Sequence, residues 1–460
     1  MHIAIVGAGF SGAALLRQLI DLRAPVTRVS LFGSAPDFGR GRAYSPPGDL
    51  HLLNVRAADM GMSPDCPGEF ADWLELAGSN RDSFLPRSLY GDYLQHALQN
   101  SIERSPFAVE RIATEVSSIT PTGAGFRLRI GEARQMHADA VVLALGSLPP
   151  QPLAGIAPAL RRSAAYVEDP WAPTALDGIA LDADVVIVGT GLTCFDLLQT
   201  LHARGHRGRV RAISRHGLLP QPQTLRRGAP HVLSAALQAQ VHQPDLAGLT
   251  RALRSACEAA QDWRGIIDAL RPHLSRLWRG LGQTERARFM RHLRSYWEVH
   301  RHRLPLQSHS QLIDWQRSRW LSVSAARLEG AHVKGKRLQL EVRPRGAALS
   351  ETWQADALVR ATGLDTDAAR TPLPLIKQLL DDGWVGADPL GLGLKSDGGF
   401  GLLNRLGRRS EGLYALGPLL RGEYWEMTAV PELRISAQVL ATELAACAVE
   451  AQPVAAQHLR

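Results

Sequence analysis

The stretch His2-Ile-Ala-Ile-Val-Gly7-Ala-Gly9-Phe-Ser11-Gly12 decides the fold. A short apolar run enters a Gly-x-Gly-x-x-Gly turn, Ala13 to Leu22 carries helical patterning, and Val29-Ser-Leu-Phe32 reads as the next strand. In such a unit Gly7 permits the tight turn, Gly9 lets the backbone approach a pyrophosphate, and Gly12 lets the helix pack on the strand. The phosphates then lie on the helix N-terminus, where unpaired N–H groups and the helix dipole favour negative charge. Alone, a match of this kind is weak.

The pattern recurs. Asp184-Val-Val-Ile-Val188 leads into Gly189-Thr-Gly191-Leu-Thr-Cys194, a helix to His202 and a strand Val210-Arg-Ala-Ile-Ser214. Each copy runs on into a candidate β-meander that closes on a near-identical phrase, Ala138-Asp-Ala-Val-Val-Leu-Ala-Leu-Gly146 and then Ala355-Asp-Ala-Leu-Val-Arg-Ala-Thr-Gly363. A repeat on this scale argues for two dinucleotide-binding units rather than two incidental turns. The fold class expected is α/β, with two Rossmann-like domains and an inserted helical module.

The two copies differ where an acid usually meets the ribose 2′-OH. The first has Gly33 after Phe32, which leaves its adenosine end without that acid. The second has Ser214-Arg215-His216, two donors and a cation suited to a 2′-phosphate, so this site reads as one for NADPH rather than NADH. The competing reading makes Arg215 one more surface Arg.

Between Gln221 and Trp320 the pattern turns helical. Trp263, Ile266, Ile267, Leu270, Leu274, Leu277, Trp278 and Leu281 share one face, with Pro272 starting a new helix or kinking this one. A second stretch aligns Phe289, Leu293, Tyr296, Trp297, His300 and Leu304, with Arg291, Glu298 and His302 opposite. Aromatic stripes of this sort belong more often to a core than to a cofactor box. Toward the C-terminus, Leu413 to Gly417 resembles a last core strand, and a helix with Pro431 in its first turn runs to about Glu450. The first domain is therefore discontinuous. The expected division is 1–165 for its first part, 166–220 for the start of the second domain, 221–320 for the helical insertion, 321–354 for the second meander and 355–460 for the return.

Composition narrows the classes. Of 460 residues 45% are hydrophobic, ordinary for a globular protein with a sizeable core. The net charge of +8 invites a nucleic-acid reading. Lys, however, stands only at 334, 336, 377 and 395, Arg carries nearly all the positive charge, and no block of like charge forms a stripe for a phosphate backbone. Cys66, Cys194, Cys257 and Cys447 are far apart and make no Cys-x-x-Cys pair, which argues against a redox dithiol, a metal site and a disulfide framework. The chain opens on a buried-strand pattern without a charged leader and contains no apolar run of membrane-spanning length, so the expected place is the cytoplasm.

Four stretches carry a family resemblance: Gly39-Arg-Gly41-Arg-Ala-Tyr44-Ser45; His51-Leu-Leu-Asn54-Val; Tyr296-Trp297-Glu-Val-His300-Arg-His302-Arg303; and Ala415-Leu-Gly417-Pro with Trp425-Glu-Met-Thr428-Ala-Val-Pro431-Glu432. With the two glycine loops, the chain resembles the two-dinucleotide-binding-domain flavoproteins, and within them a bacterial FAD/NAD(P)-binding family related to N-hydroxylating (amino acid, aspartate) and flavin-containing monooxygenases. The resemblance implies that Gly7, Gly9, Ser11 and Gly12 hold the pyrophosphate of FAD, with Gly417 beside it. It places Asn54 near the flavin, although a loop Asn closing a turn is an equal reading. The amides around Thr428, Val430 and Glu432 would face the pyrimidine edge, where a helix N-terminus stabilises the negative charge of reduced flavin. Gly189 and Gly191, with Ser214, Arg215 and His216, would hold NADPH. Pro418 stands where the wider superfamily commonly has Asp, and the stretch from Gly146 to Trp171 lacks the His of the Baeyer–Villiger and sulfoxidising members.

The activity implied is NADPH-dependent FAD monooxygenation, with an amine nitrogen of a small amino-acid-like substrate attacking a flavin C4a-hydroperoxide made from O2. No side-chain acid or base is demanded, and Asn54 is the single candidate catalytic group, as a donor to the flavin. Arg301 and Arg303, in the cationic run 291–303, are candidates for gripping a substrate carboxylate, against the alternative of a solvated helix face. Two other activities stay open: an NADPH:acceptor oxidoreductase without oxygenation, and a slow flavin-binding sensor or scaffold. No metal, nucleic acid or membrane partner is expected.

Overall fold

The computed structural model describes residues 1–34, 38–46, 48–172, 174–228 and 231–450. The chain starts with β1 (His2–Val6), α1 (Phe10–Asp21) and β2 (Arg28–Phe32), continues through α2 (Glu69–Trp73) and α3 (Arg87–Glu103) to β3 (Ala108–Ile112), and then forms an antiparallel meander of β4 (Val116–Thr122), β5 (Gly125–Ile130) and β6 (Arg134–Ala138) before β7 (Ala140–Leu143). After α4 (Pro158–Arg161) and β8 (Tyr166–Val167) the same plan repeats as β9 (Val185–Val188), α5 (Leu192–Ala203) and β10 (Val210–Ser214). Ile3, Ala4 and Ile5 are fully buried and so are Val185, Val186 and Ile187. Parallel strands covered on both faces need such unbroken apolar runs, which is why alternation is missing from them.

The helical insertion follows as α6 (Ala235–His242), α7 (Leu246–Ala259), α8 (Trp263–Leu270), α9 (Leu274–Gly280), α10 (Gln283–His292), α11 (Arg294–Arg301) and α12 (Leu306–Arg317). The second meander is β11 (Leu321–Lys334), β12 (Arg337–Pro344) and β13 (Glu351–Ala355), closed by β14 (Ala357–Arg360). The chain ends with α13 (Pro374–Asp381), β15 (Gly401–Leu403), β16 (Arg409–Ala415) and α14 (Val430–Glu450). The first sheet has the order β15-β16-β7-β1-β2-β3 and the second β13-β12-β11-β10-β9-β14-β8. In the first copy the meander is a separate sheet. In the second, β11 pairs parallel with β10 over Leu321–Ala325 and antiparallel with β12 from Ala326 onward, so meander and parallel sheet are one.

Three expectations need correction. The boundary at 354/355 falls inside the second sheet, because β14 pairs with β9 and β8. The phrase 355–363 closes the second copy just as 138–146 closes the first. The chain is back on the first domain by α13, where the Gln378 side chain hydrogen-bonds both backbone groups of Ile119 on β4. The boundary at 165/166 errs the other way and is late: Gly155 packs against Glu329 and Gly330, and Ile156 and Leu160 belong to the second domain's core. Finally, the stretch from Phe289 to Leu304 is two helices broken at Leu293, and Glu298 is drawn into ion pairs rather than facing solvent. Residues 451–460 of the last expected range lie outside the described residues.

The insertion has a core of its own, in which Leu237, Val241, Ile266, Leu270, Leu274 and Leu277 meet. It also touches both domains. Trp315 of α12 packs on Phe195 of α5, ring centroids 5.8 Å apart, while Trp278 of α9 lies 4.8 Å from Trp425 and donates to the Gly422 carbonyl at 2.8 Å. Among the described residues no helix is long and apolar enough to cross a membrane.

Candidate functional site

The first glycine loop is flanked closely by backbone from distant parts of the chain. Gly7 has φ +120°, and a Cβ there would stand 2.1 Å from the Ala144 carbonyl oxygen; at Gly12 it would stand 2.0 Å from the oxygen of Gly7. Only glycine satisfies either position. Gly9 precedes α1 in an extended conformation and no side chain caps the helix, so its first amides are left for a ligand. The Gly39–Gly41 turn forms the roof: the Gly39 N–H donates to the Ala8 carbonyl at 2.7 Å, and a Cβ at Gly9 would face Gly41 Cα at 3.4 Å. Gly417, φ +103°, forms a wall, and a Cβ on it would lie 3.0 Å from Ser11 Oγ and 3.9 Å from Leu433 of α14. This cleft of glycine backbone around an uncapped helix end fits a diphosphate. A cavity of about 480 Å³ lined by Phe38, Gln95, Leu98, Gln99, Arg111 and Ala113 opens alongside the ends of β2 and β3, where Gly33 takes the place of the usual acid.

The second loop repeats the backbone and not the enclosure. Gly189 has φ +122° and a Cβ there would meet the Ala361 oxygen at 2.0 Å, while α5 is again uncapped. Yet Gly191 is exposed with nothing within 4 Å of an added Cβ, and the third glycine is replaced by buried Cys194. At the end of β10, Ser214 Oγ contacts Thr190 Oγ1 at 2.8 Å and accepts from the Gly217 N–H at 3.0 Å. Ser214 therefore also shapes the turn through both neighbours. Arg215 is exposed, and Arg345 Nη1 approaches His216 Nδ1 to 2.9 Å. Burial and the charges of Arg345, Arg215 and Arg327 push the His216 pKa down. Like charges gathered this way repel one another, and an anion among them relieves it.

Helix α11 lies between these sites. The Trp297 indole donates to Glu426 at 2.9 Å, Arg301 faces Glu426 at 3.3 Å and Glu432 at 3.6 Å, and Arg421 meets Glu298 at 2.6 Å while stacking on Trp425. Burial opposes the charge on Glu298, but His302, Arg421 and Arg294 outweigh it and hold the carboxyl well below its ordinary range. Burial likewise opposes Glu432, which Arg271, at 2.8 Å, and Arg301 keep ionised. As an acid in the first turn of α14, Glu432 also complements the helix dipole. Arg301 and Arg303 are only 5% and 3% exposed. Arg301 is paired as described and Arg303 with Asp268, so both reach internal carboxylates rather than forming a solvated helix face. Within the cationic run Arg291 stays exposed, Arg301 turns toward the first domain's last segment and Arg303 pairs inside the insertion.

A further polar cluster joins the two domains. Arg87 at the start of α3 meets Asp196 of α5 at 2.9 Å, and His51 Nε2 lies 3.0 Å from Thr200 Oγ1 and 3.2 Å from the Asp196 carbonyl. Burial pushes His51 below its ordinary pKa and Asp196 above its own.

Residues 4–148 match the family model described as FAD-NAD(P)-binding. The N-terminal unit is an FAD-NAD(P)-binding domain. No curated protein matches the chain in sequence. Among solved structures, L-lysine 6-monooxygenase from Pseudomonas syringae is similar at 16% identity and a TM-score of 0.63, over 97% of this chain and 99% of that one. Ornithine N-hydroxylase from Kutzneria sp. 744 gives 16%, 0.61, 96% and 98%, and thioredoxin reductase from T. acidophilum 13%, 0.52, 97% and 98%. At these identities the likeness is one of fold, and it spans nearly the whole of each chain.

Of the predicted residues, the structure gathers Gly7, Gly9, Ser11, Gly12 and Gly417 in one cleft, with exposed Thr428 and buried Val430 at the start of the helix that Leu433 ties to Gly417. Asn54 is half-buried on the segment before Arg56 and makes no hydrogen bond among the described residues, so it closes no turn. Gly189 and Gly191 flank the second loop, with Arg215 and His216 at its rim. Sequence reasoning missed Glu426, Arg421, Arg294, Arg327 and Arg345. Two quoted stretches, Tyr296–Arg303 and Trp425–Glu432, hold each other, and paired Trp-Glu dipeptides at 297–298 and 425–426 were the available signal.

Proposed function

We propose that the protein is an NADPH-dependent FAD monooxygenase that hydroxylates an amine nitrogen of a small amino-acid-like substrate. The observation that carries this reading is the inequality of the two dinucleotide loops: an enclosed one suited to a resident flavin, and an open one rimmed by Arg215, His216, Arg327 and Arg345. In the first, Gly7, Gly9, Ser11, Gly12 and Gly417 would hold FAD, with Thr428 and Val430 at its pyrimidine edge and Asn54 as a free donor nearby. FAD held there would supply the redox and oxygen-activating chemistry.

The chain's own residues position the partners. Arg301 neutralises Glu426, and Arg271 with Arg301 neutralises Glu432, so neither carboxylate opposes negative charge at the start of α14. Trp278, Phe289 and Trp425 pack together into one aromatic cluster that ties the insertion to the segment leading into α14. The four free cysteines lie on the loop before α2, on α5, on α7 and on α14, a spread that favours this reading over disulfide reduction by a dithiol.

The test uses the full-length protein reconstituted with FAD. NADPH is expected to bleach the flavin anaerobically, and aerobic turnover with a panel of small amines is expected to give an N-hydroxylated product one oxygen heavier. Turnover sustained only by a quinone or a partner protein, with no oxygenated amine, overturns the monooxygenase in favour of an NADPH:acceptor oxidoreductase. A yellow protein that NADPH fails to reduce overturns both in favour of a sensor or scaffold.

A further inference from the structure

The Ser214–Gly217 turn does not stand alone at the rim of the second loop. The Tyr296 ring of α11 is 44% exposed, a large aromatic left open to solvent, and its centroid lies 5.8 Å from that of His216. Two residues earlier, at the first position of the helix, Arg294 shares Glu298 with Arg421 and His302. Burial lowers the pKa of Arg294, and the charges of Arg421 and Arg215 lower it further, so α11 brings a cation into electrostatic reach of the turn. One carboxylate thus serves three basic groups on one side, while Arg215, Arg327 and Arg345 gather on the other. An open aromatic face beside surplus positive charge suits a flat base carrying a phosphate: the ring stacks on the base and the guanidinium groups take the phosphate oxygens.

We propose that α11 of the helical insertion completes the adenosine end of the second site, with Tyr296 packing on the adenine of NADPH and Arg294 adding to the charge that Arg215 and Arg345 direct at its 2′-phosphate. The proposal rests on the NADPH reading above. It gives the insertion a ligand-binding role: the same helix that holds Glu426 and Glu432 through Trp297 and Arg301 also grips the outer end of the coenzyme.

Calorimetric titration of the flavin-loaded full-length protein with 2′,5′-ADP and with 5′-AMP tests it without reference to turnover. The wild type is expected to prefer 2′,5′-ADP at least tenfold, and Arg215→Ala to abolish that preference. Tyr296→Ala is expected to weaken both ligands about tenfold at an unchanged ratio, Tyr296→Phe to restore them, and Arg294→Gln to weaken 2′,5′-ADP alone. Equal affinity of the wild type for the two ligands overturns the NADPH reading itself. A preference that Arg215→Ala removes while Tyr296→Ala leaves both affinities intact overturns the role of α11 and spares that reading. Because Tyr296 is exposed, retained flavin content and an unchanged unfolding temperature identify a variant that is folded.

Discussion

The two glycine loops share one backbone and differ in everything around it. Gly7 and Gly189 have φ of +120° and +122°, and each is pressed against the carbonyl of an alanine, Ala144 or Ala361, at the end of a neighbouring strand. The parent strands close alike: Gly7 donates to Phe32 at 2.9 Å and Gly189 to Ile213 at 2.8 Å. Beyond this skeleton they diverge. The first loop is roofed by Gly41, walled by Gly417 and backed by a helix so close that Gly12 admits no Cβ, whereas the second has open space over Gly191 and room for the Cys194 side chain. A ligand wrapped by protein on several sides leaves slowly, and one on an open rim exchanges. A duplicated fold has thus been specialised by what covers each loop, in keeping with a resident flavin and a coenzyme that comes and goes.

The sharpest way to break that comparison is at the third glycine. Gly12→Ala drives a Cβ into the Gly7 carbonyl, so we expect a loss of about 3 kcal/mol and of flavin content. Cys194→Ala at the matching place is expected to cost about 1 kcal/mol. Equal losses in thermal unfolding would mean that the two helices pack alike. Next in size is Gly191→Ala, which meets no protein atom: unfolding should move by less than about 0.5 kcal/mol and FAD stay bound, while affinity for NADPH in anaerobic titration falls about tenfold. Unchanged affinity would remove Gly191 from the coenzyme's path.

The smallest effect is expected at the junction of the domains. His51 is buried neutral beside Arg87, with Asp196 the counter-charge, and its folded pKa lies below the ordinary 6.5. The unfolded chain takes up the proton first, so stability is full above about pH 6.5 and is lost as pH falls from there toward the folded value. A pH series of unfolding midpoints should show this decline, and His51→Gln should make it shallower, the remainder coming from His2, His206, His216 and His309, which burial also depresses. A series that is equally steep in the variant would assign the decline to other groups.

Much of this was legible in the chain. The glycine spacing, the apolar runs at 2–6 and 184–188 and the doubled Ala-Asp-Ala phrase are local signals, and the elements they imply are present. The site was legible only in part. Gly7 and Gly189 could be read because a positive φ is a property of one residue and its neighbours. The fate of Arg301 and Arg303 could not, because a cationic helix face looks the same in sequence whether it meets water or a row of carboxylates. Nor could Arg345 be joined to His216, since 129 residues of chain separate them. The premature boundary at 354/355 came from treating the closing phrase as the start of the return, when only strand pairing shows which sheet holds β14.

By itself, then, the sequence determined two strand–loop–helix units and the kind of ligand their backbones can accept, because hydrophobic periodicity and glycine stereochemistry act over a few residues. Tertiary structure alone decided which loop is closed and which open, and that the helical insertion spans the two. Those outcomes depend on Gly41, Gly417, Glu426 and Arg345, which reach the sites from distant parts of the chain through packing and charge pairing.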